Sequence, residues 1–322
     1  MREESQFVID ILIPTYNRSR DLESNLIYLT NQINKYELNS AIKIIISDNC
    51  SIDNTRQMVE NFIKTNTSIV IDYHRTDSNI GLEKNMLNVL SKSTSKFVLW
   101  NGDDDILDEG YIQYCLDMIN ISTNLGCIIT GITKVLEDGT RVPIRNAPSD
   151  EVYLSPGYET ILNYSYLGHQ LSGLLMIREN LLENYLSIGE NRNIYLFIYF
   201  VADRMHHYET IFTTKFRTTV PVFNEKDWSY NKVGLLDEVF KSYYPFIRVF
   251  GNEKVGNILL NFLKQQSAFR LRINFFKPFR LAKQYVILVK LLPFFSWSIN
   301  VKIMYVLFKE YLISLKRIGQ KA

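Results

Sequence analysis

The sequence predicts an α/β protein: a mostly parallel sheet with helices on both faces, followed by a C-terminal helical extension. Three observations lead there. Apolar runs of strand length alternate with helically spaced apolar residues between about residues 7 and 120, the repetition that builds parallel sheets. The strand-length runs are followed by polar loops holding Thr15 to Asn17, Asp48 and Asn49, Asn79 and Gly81, and Asp103 to Asp105. Beyond about Lys226 strand signals fade and the chain turns basic and aromatic-rich.

Phe7 to Pro14 (FVIDILIP) reads as the first strand, buried on both faces where the apolar run is continuous. Thr15-Tyr16-Asn17-Arg18 is a loop, and the next helix carries Leu22, Leu26, Leu29 and Ile33 at helical spacing. Ile42 to Ser47 is a second strand ending at Asp48-Asn49. Ser51 or Asp53 can cap a helix with Val59, Phe62 and Ile63 inside. Ile69 to His74 is a third strand, Arg75 to Gly81 a loop, and about Leu82 to Leu90 a helix. Phe97 to Trp100 is the fourth strand. In parallel sheets ligands bind beyond the carboxyl ends of the strands, so the polar clusters at these ends are expected to converge on one edge.

The fourth strand runs into Asn101-Gly102 and three consecutive carboxylates, Asp103, Asp104 and Asp105. Adjacent acids repel one another unless solvent or a cation neutralises them. A hard divalent ion, held by one or two carboxylates and completed by substrate phosphates, would do so. A polar turn in which Asp105 or Asp108 caps a helix bearing Ile112, Cys115, Leu116 and Ile119 answers equally well. The stretch alone leaves both readings open.

After Cys127 the pattern changes. Cys127 to Leu136 alternates as a strand, and Glu137-Asp138-Gly139-Thr140 is a hairpin turn signal. A helix is expected over Gly157 to Tyr166, a strand around Leu171 to Ile177, a helix over about Asn193 to Tyr208, and short strands to about Val222. The run Tyr195 to Phe200 reads as buried helix. His206 and His207, adjacent on a helix, point about 100° apart and cannot share one ion. They read as surface residues. His169 could touch an acceptor or simply make a local hydrogen bond. Trp228 could fold over the site or merely pack.

Composition sets outer limits. At 322 residues the chain can hold one large domain with an extension, and 46% apolar with 22% charged residues is ordinary for a globular protein. Cys50, Cys115 and Cys127 lack metal-ligand spacing, so free thiols in a reducing compartment are expected. The apolar run near the N-terminus is too short for a secretory signal and reads as a strand. No uninterrupted apolar run approaches the roughly 18 residues of a membrane span.

Four stretches, ILIPTYNR, IISDNCSIDNT, NIGLEKNMLNVL and FVLWNGDDDIL, together resemble the inverting family 2 glycosyltransferases, whose fold is the Rossmann-like GT-A fold. The motifs occur in the family's order and spacing over roughly Ile9 to Ile119. The Asp-Asn pair after the second strand and the Gly-Asp-Asp-Asp element further resemble bacterial deoxyhexosyl and O-antigen type transferases. The resemblance implies a GT-A domain over 1–225, with a nucleotide-binding half at about 7–120 and an acceptor half at about 121–225, and an extension over 226–322. It implies that Pro14, Thr15, Tyr16 and Asn17 line the nucleotide site, Tyr16 close to the base. Asp48 would accept hydrogen bonds from the base, and Asn79 and Gly81 would lie near the nucleotide. It places a divalent cation, Mn²⁺ or Mg²⁺, on Asp104, with Asp103 supporting it on the nucleotide side and Asp105 either assisting at the metal, orienting donor sugar or capping the helix. Gly102 departs from the pattern, standing where the family has the first acid of its DxD element.

An inverting displacement needs a general base within reach of the acceptor hydroxyl. In the family this is a carboxylate near a helix start in the acceptor half, often Glu-Asp followed by aromatics, and no such pair stands here. Glu190 is the nearest positional match and Asp203 its competitor. Glu190 also reads as a first-turn acid favoured by the helix dipole, and Asp203 as an exposed member of a charge pair with Arg204.

The C-terminal stretch differs electrostatically from the rest. Lys264 to Ala322 holds 12 Lys and Arg against one acid, Glu310, leaving 36 − 12 = 24 basic and 34 − 1 = 33 acidic residues elsewhere. Basic residues interleaved with aromatics, as in Phe275-Phe276-Lys277-Pro278-Phe279-Arg280, suit an anionic membrane surface. A helical bundle packed on the rest of the chain is the competing account. No nucleic-acid motif is present, and none is expected as partner. The expected protein is cytoplasmic, peripheral to the inner face of the cell membrane. It would move sugar from a nucleotide-sugar donor to an oligosaccharide or lipid-pyrophosphate-linked acceptor. Two rivals remain: a catalytically inactive nucleotide-binding, membrane-associated protein of the same fold, and a nucleotidyltransferase, which would need a phosphate loop that ILIPTYNR lacks.

Overall fold

The computed structural model describes residues 6–221, 235–265, 286 and 289–319, with side chains to residue 313. In chain order the elements are β1 (Ile9–Thr15), α1 (Ser19–Lys35), β2 (Ile42–Asp48), α2 (Thr55–Thr65), β3 (Val70–Arg75), α3 (Leu82–Lys92), β4 (Phe97–Trp100), β5 (Ile106–Leu107) and α4 (Tyr111–Ile121). They continue as β6 (Leu125–Val135), β7 (Arg141–Arg145), β8 (Glu151–Leu154), α5 (Tyr158–Tyr164), β9 (Leu174–Ile177), α6 (Leu181–Ser187), α7 (Leu196–His207) and β10 (Glu209–Pro221). The last are α8 (Leu235–Tyr243), α9 (Ile247–Lys264) and α10 (Trp297–Gly319).

Among the described residues the strands form one sheet, ordered β3-β2-β1-β4-β9-β6-β10-β5, with β7 beside β6 and β8 beside β10. β3, β2, β1 and β4 are mutually parallel, as are β6 and β10; antiparallel pairings of β9 with β4 and β6 join the two parts. Successive strand residues face opposite sides. Ile9, Ile11 and Ile13, Ile42, Ile44 and Ile46, and Phe97 and Leu99 share a core with Leu22, Leu26, Leu29 and Ile33 of α1 and with Met58 and Val59 of α2. Leu12, Ile45 and Val98 face the other side and are also buried, where α3 lies against β1 and β2. Both faces are covered, which is why the strand segments read as unbroken apolar runs; each such side chain contributes about 2 kcal/mol.

The one acid inside β1 has a structural explanation. Asp10 is fully buried, and its carboxylate accepts hydrogen bonds from the Ser93 and Ser95 hydroxyls at 2.7 and 2.6 Å and the Thr94 and Ser95 amides at 2.8 and 3.0 Å. It pins the turn between α3 and β4 to β1. A buried charge is tolerable only with such partners.

The expected hairpin after β6 is present, with the Leu136 amide bonded to the Thr140 carbonyl at 2.8 Å and Gly139 at φ +82° in the turn. The strand signals near the end of this part belong to one long strand, β10, rather than to several short ones. Its register against β6 shifts between Thr213 and Arg217, and the shift interrupts the alternation that sequence reading follows. Neither Asp105 nor Asp108 caps α4. Gly110 stands there at φ +83°, and Asp108 instead accepts the Arg217 amide at 2.8 Å.

Contacts divide the chain into two compact units. One takes in 1–156, 170–184 and 207–226 and holds the sheet with α1 to α4; the other takes in 157–169, 185–206 and 227–322. The division thus departs from the boundary expected at 225/226: α5 and α7 cluster with α8, α9 and α10. The cause is visible in α7, where Leu196 to Met205 are all buried, so the helix needs packing all round. Within this helical unit Tyr199 meets Phe246 with ring centroids 5.7 Å apart, Asn193 donates to the Ser242 hydroxyl at 3.0 Å, and Asn261 to the Leu162 carbonyl at 2.6 Å. Trp228 and the Phe275–Arg280 run lie outside the described residues.

Candidate active site

In the order β3-β2-β1-β4 the chain changes direction across the sheet between β1 and β4, and a ligand crevice is expected beyond their carboxyl ends. Thr15 ends β1 and Asp103 follows β4. The Thr15 hydroxyl donates to Asp103 Oδ2 at 2.8 Å, spanning that switch point. Arg18, just ahead of α1, places Nη1 3.2 Å from Asp104 Oδ2 and 3.3 Å from Asp21 Oδ2.

Side-chain to backbone bonds lock the neighbouring loops together. Asn17, at φ +54°, donates its amide to the Ser51 hydroxyl and accepts the Ile52 amide on Oδ1, both at 2.8 Å. Asn49 donates to Asn79 Oδ1 at 3.0 Å and accepts the Ile80 amide at 2.8 Å; Asn79 Oδ1 also accepts the Gly81 amide at 3.0 Å. Pro14 sits opposite Ser47 in the β1–β2 register, and Tyr16 is exposed on the loop. Gly81, at φ +86°, precedes α3 with open space around its Cα. The sequence-derived nucleotide residues of β1, β2, the loop before α3 and the loop after β4 are therefore gathered at one sheet edge.

Asp48 is fully buried, and its oxygens are engaged inside the protein: Oδ1 by the Ser51 amide at 2.8 Å, Oδ2 by the Tyr73 hydroxyl at 2.6 Å, with Arg75 Nε 3.6 Å away. Burial, and then the bond to Asp48, raise the Tyr73 hydroxyl well above its ordinary range. In this structure Asp48 shapes the loop on which Asn49 and Ser51 are carried.

The three acids are not equivalent. Asp105 is buried, with Oδ2 accepting from the Ser172 hydroxyl at 2.5 Å and from Gln170 at 3.2 Å. Its carbonyl accepts from Asn25 of α1, which also reaches the Gly102 carbonyl at 3.1 Å. Ser172 additionally accepts the Gly102 amide at 2.9 Å. Asp105 is thus held inside the loop rather than presented at its surface, and Gly102 has no room for a side chain. A Cβ there would lie 2.9 Å from Asp105 Oδ2 and 3.1 Å from Ser172 Oγ. The absent first acid of the motif is matched by this crowding. Asn25, Gln170 and Ser172 escaped sequence reading. Only Asn25 gave a signal, as a polar residue on the apolar side of α1 between Leu22 and Leu26.

Asp103 and Asp104 are half-buried as residues, although the Asp104 side chain itself is nearly covered where it meets Arg18. Burial, and then the neighbouring Asp104, push Asp103 up to about 7, against the opposing pull of the Thr15 bond and Arg18. Two adjacent carboxylates, Asp104 beside Arg18 and Asp103 made hard to ionise, fit a hard cation whose shell is completed by substrate phosphates. Among the described residues no group of three or more His, Cys, Asp or Glu could hold an ion by itself. The raised value has a measurable consequence. Ionising Asp103 is harder in the folded chain than in the unfolded one, so stability is fully present below the ordinary carboxylate value of 3.8 and is lost as pH rises through about 7. Without divalent ions, Asp103→Asn should match the wild type near about pH 4 and exceed it by about 2 kcal/mol near about pH 8, allowing for partial solvent contact. Parallel stability profiles in denaturant titrations would overturn this.

The two candidate bases lie in the helical unit. Glu190 is exposed in a short 3-10 turn, Gly189–Asn191. Asp203 is buried rather than exposed, with Arg204 Nε 3.0 Å from its Oδ2, because α7 has no solvent-facing side. His169 Nδ1 lies 2.7 Å from the Tyr166 carbonyl, a local bond. His207 is exposed, but His206 is half-buried against Phe250, ring centroids 5.1 Å apart.

Comparison with known proteins bears on the family and the fold. The model of the family described as glycosyl transferase family 2 matches residues 10–179, a longer stretch than the four motifs span. Over 101 residues the chain is 38% identical to the abequosyltransferase RfbV of Salmonella typhimurium, a match covering 31% of this chain and 29% of that protein. Among solved structures, S. aureus TarS 1-349 with UDP-GlcNAc superposes with a TM-score of 0.67 at 14% identity, over 98% of this chain and 92% of that one. The mannosyltransferase PcManGT of Pyrobaculum calidifontis, with GDP-Man and Mn²⁺, gives 0.53 at 14% identity over 98% and 88%. At such identities the structures speak for the fold, and it is the GT-A fold with a helical C-terminal region. With the family model covering just over half of the 322 residues, the chain belongs to glycosyl transferase family 2.

Proposed function

We propose that the protein transfers a sugar from a nucleotide-sugar donor to a lipid-linked or growing surface-polysaccharide acceptor, by inverting displacement with the help of a divalent cation. The observation that carries this reading is the pairing of Thr15 with Asp103 and of Arg18 with Asp104 at the β1–β4 switch point. That is where a nucleoside diphosphate would lie in such a sheet.

The residues divide the work. Tyr16 offers an exposed aromatic face to a base, and the loops braced by Asn17, Asn49 and Asn79 fix the rim. Asp103 and Asp104 would hold Mn²⁺ or Mg²⁺ together with the diphosphate. Bound there, the ion would act as a Lewis acid on the charge that grows at the leaving phosphate oxygen. Arg18 adds positive charge on the same side, and Asp105, caged by Ser172, Gln170 and Asn25, keeps the loop in shape. The acceptor hydroxyl must lose a proton as the new bond forms. Glu190 suits that task better than Asp203, because it is exposed whereas Asp203 is buried with its carboxylate already bonded to Arg204. The likeness to an abequosyltransferase supports transfer of a sugar, and the basic C-terminal stretch suits an acceptor presented at the inner face of the cell membrane.

The test is a thermal-shift panel of UDP, GDP, TDP and CDP, each with and without Mn²⁺. A ligand that binds only the folded state raises its apparent stability. One nucleotide should stabilise the protein, in a Mn²⁺-dependent way that Asp104→Ala abolishes. If folded protein responds to none of them, the nucleotide-sugar reading falls.

A further inference from the structure

The last described helix is amphipathic twice over. One side of α10 packs inward through Ile299, Asn300, Ile303, Val306 and Leu307, all buried. A second apolar stripe faces solvent: Trp297, Val301, Met304, Tyr305, Phe308 and Leu312. Trp297 is 82% exposed, Tyr305 66% and Phe308 58%, while Val301 is half-buried. At about 100° per residue these six fall within about 100° of arc and run along about 22 Å of helix. The stripe is too long and too aromatic for scattered surface apolar residues, which need no explanation.

Charge points to what covers it. Lys302 and Lys309, both exposed, lie together along one edge of the stripe. Exposed Lys290 precedes the helix, and Glu310, the only acid from Lys264 onward, is half-buried. An apolar aromatic stripe edged by lysines is what a helix lying in the headgroup boundary of a bilayer presents, rings and aliphatic chains inward and ammonium groups toward anionic lipid. No helix among the described residues, α10 included, is long and apolar enough to cross a membrane.

We propose that α10 is the membrane-contact element of this protein and that the stripe from Trp297 to Leu312 inserts into the headgroup region of an anionic phospholipid bilayer. The inference deepens the membrane-side part of the function proposed above and depends on that reading only for its biological meaning. Binding arises from burial of the stripe together with attraction by Lys302 and Lys309. Neutral bilayers should therefore bind the protein much more weakly, and salt should loosen it from anionic ones.

The experiment is co-sedimentation of the full chain with vesicles of phosphatidylcholine alone, or of phosphatidylcholine with about a quarter phosphatidylglycerol. Wild type should pellet with the anionic vesicles and stay in solution with the neutral ones. The double variant Tyr305→Ser/Phe308→Ser, altering only exposed side chains, should lower the vesicle-bound fraction at least about tenfold. Lys302→Glu/Lys309→Glu, which keeps the apolar stripe, should abolish the preference for anionic lipid. Vesicle binding unchanged in the serine variant overturns the proposal. So does a lipid-free self-association of the wild type that the serine variant dissolves, because a second copy of the chain then covers the stripe. Running the nucleotide thermal-shift panel on the same preparations separates the two readings. Lost vesicle binding with intact nucleotide response leaves the transferase site standing, and the reverse leaves the membrane element standing.

Discussion

Asp104→Ala should lower sugar transfer by at least about 10³-fold while leaving the folded protein at least as stable as the wild type near neutral pH. The loss of activity follows from removing one of two carboxylates available to a cation at the leaving diphosphate. The retained stability follows from the local charges. Arg18, which loses a partner 3.2 Å away, keeps Asp21 at 3.3 Å, so no guanidinium is stranded. Asp103 loses the neighbour that helps to raise its pKa and ionises more easily. Steady-state assays beside thermal unfolding would check both halves. Full activity would remove Asp104 from the site, whereas loss of activity together with a large drop in melting temperature would make its role structural.

Gly173→Ala should be among the most damaging single-methyl changes in the sheet unit, at about 3 kcal/mol or more, or roughly an 8 °C fall in melting temperature. Gly173 has φ +82°, and an added Cβ would come within 2.3 Å of Thr130 Oγ1 and 2.5 Å of Thr218 Oγ1. Neither threonine can retreat, since both are fully buried and hydrogen-bonded to each other at 3.0 Å across β6 and β10. The same glycine donates its amide to the Trp100 carbonyl at 3.0 Å, and its carbonyl accepts the Tyr111 hydroxyl at 2.7 Å. Ser172 immediately precedes it, so displacement here reaches Asp105 and the loop that carries Asp103 and Asp104. Gly139→Ala is the control. Gly139 also has φ +82° but nothing within 4 Å, so it should lose only about 1 kcal/mol of backbone strain. Equal losses in the two variants would show that backbone conformation, and not crowding, sets the penalty.

What could be read from the sequence depended on how local its physical cause was. FVIDILIP, IKIIIS and FVLW were legible because a strand buried on both faces demands an unbroken apolar run, and α1 because its stripe repeats every three to four residues. The gathering of Thr15, Asn49, Asn79 and Asp103 at one edge was legible because parallel topology brings strand ends together. The different fates of Asp103, Asp104 and Asp105 were not. They are decided by Ser172, Gln170 and Asn25, which lie 67, 65 and 80 residues from Asp105 and leave no local pattern. The grouping of α5 and α7 with the C-terminal helices was hidden for a similar reason. An all-round apolar helix states that it must be buried, but not against which part of the chain.

Gly102 bears on which descendants of this sequence are reachable. An aspartate at 102 would set its Cβ 2.9 Å from an Asp105 oxygen that Ser172 and Gln170 hold in place. Room can be made by first shortening Asp105 or Ser172, yet each of those changes alone loosens the turn carrying Asp103 and Asp104. Both one-step intermediates are therefore poorer than either end state. An acid at 102 and an acid locked inside at 105 thus compete for the same space in this loop. An engineer wishing to move the acid from 105 to 102 would therefore change both positions in one step.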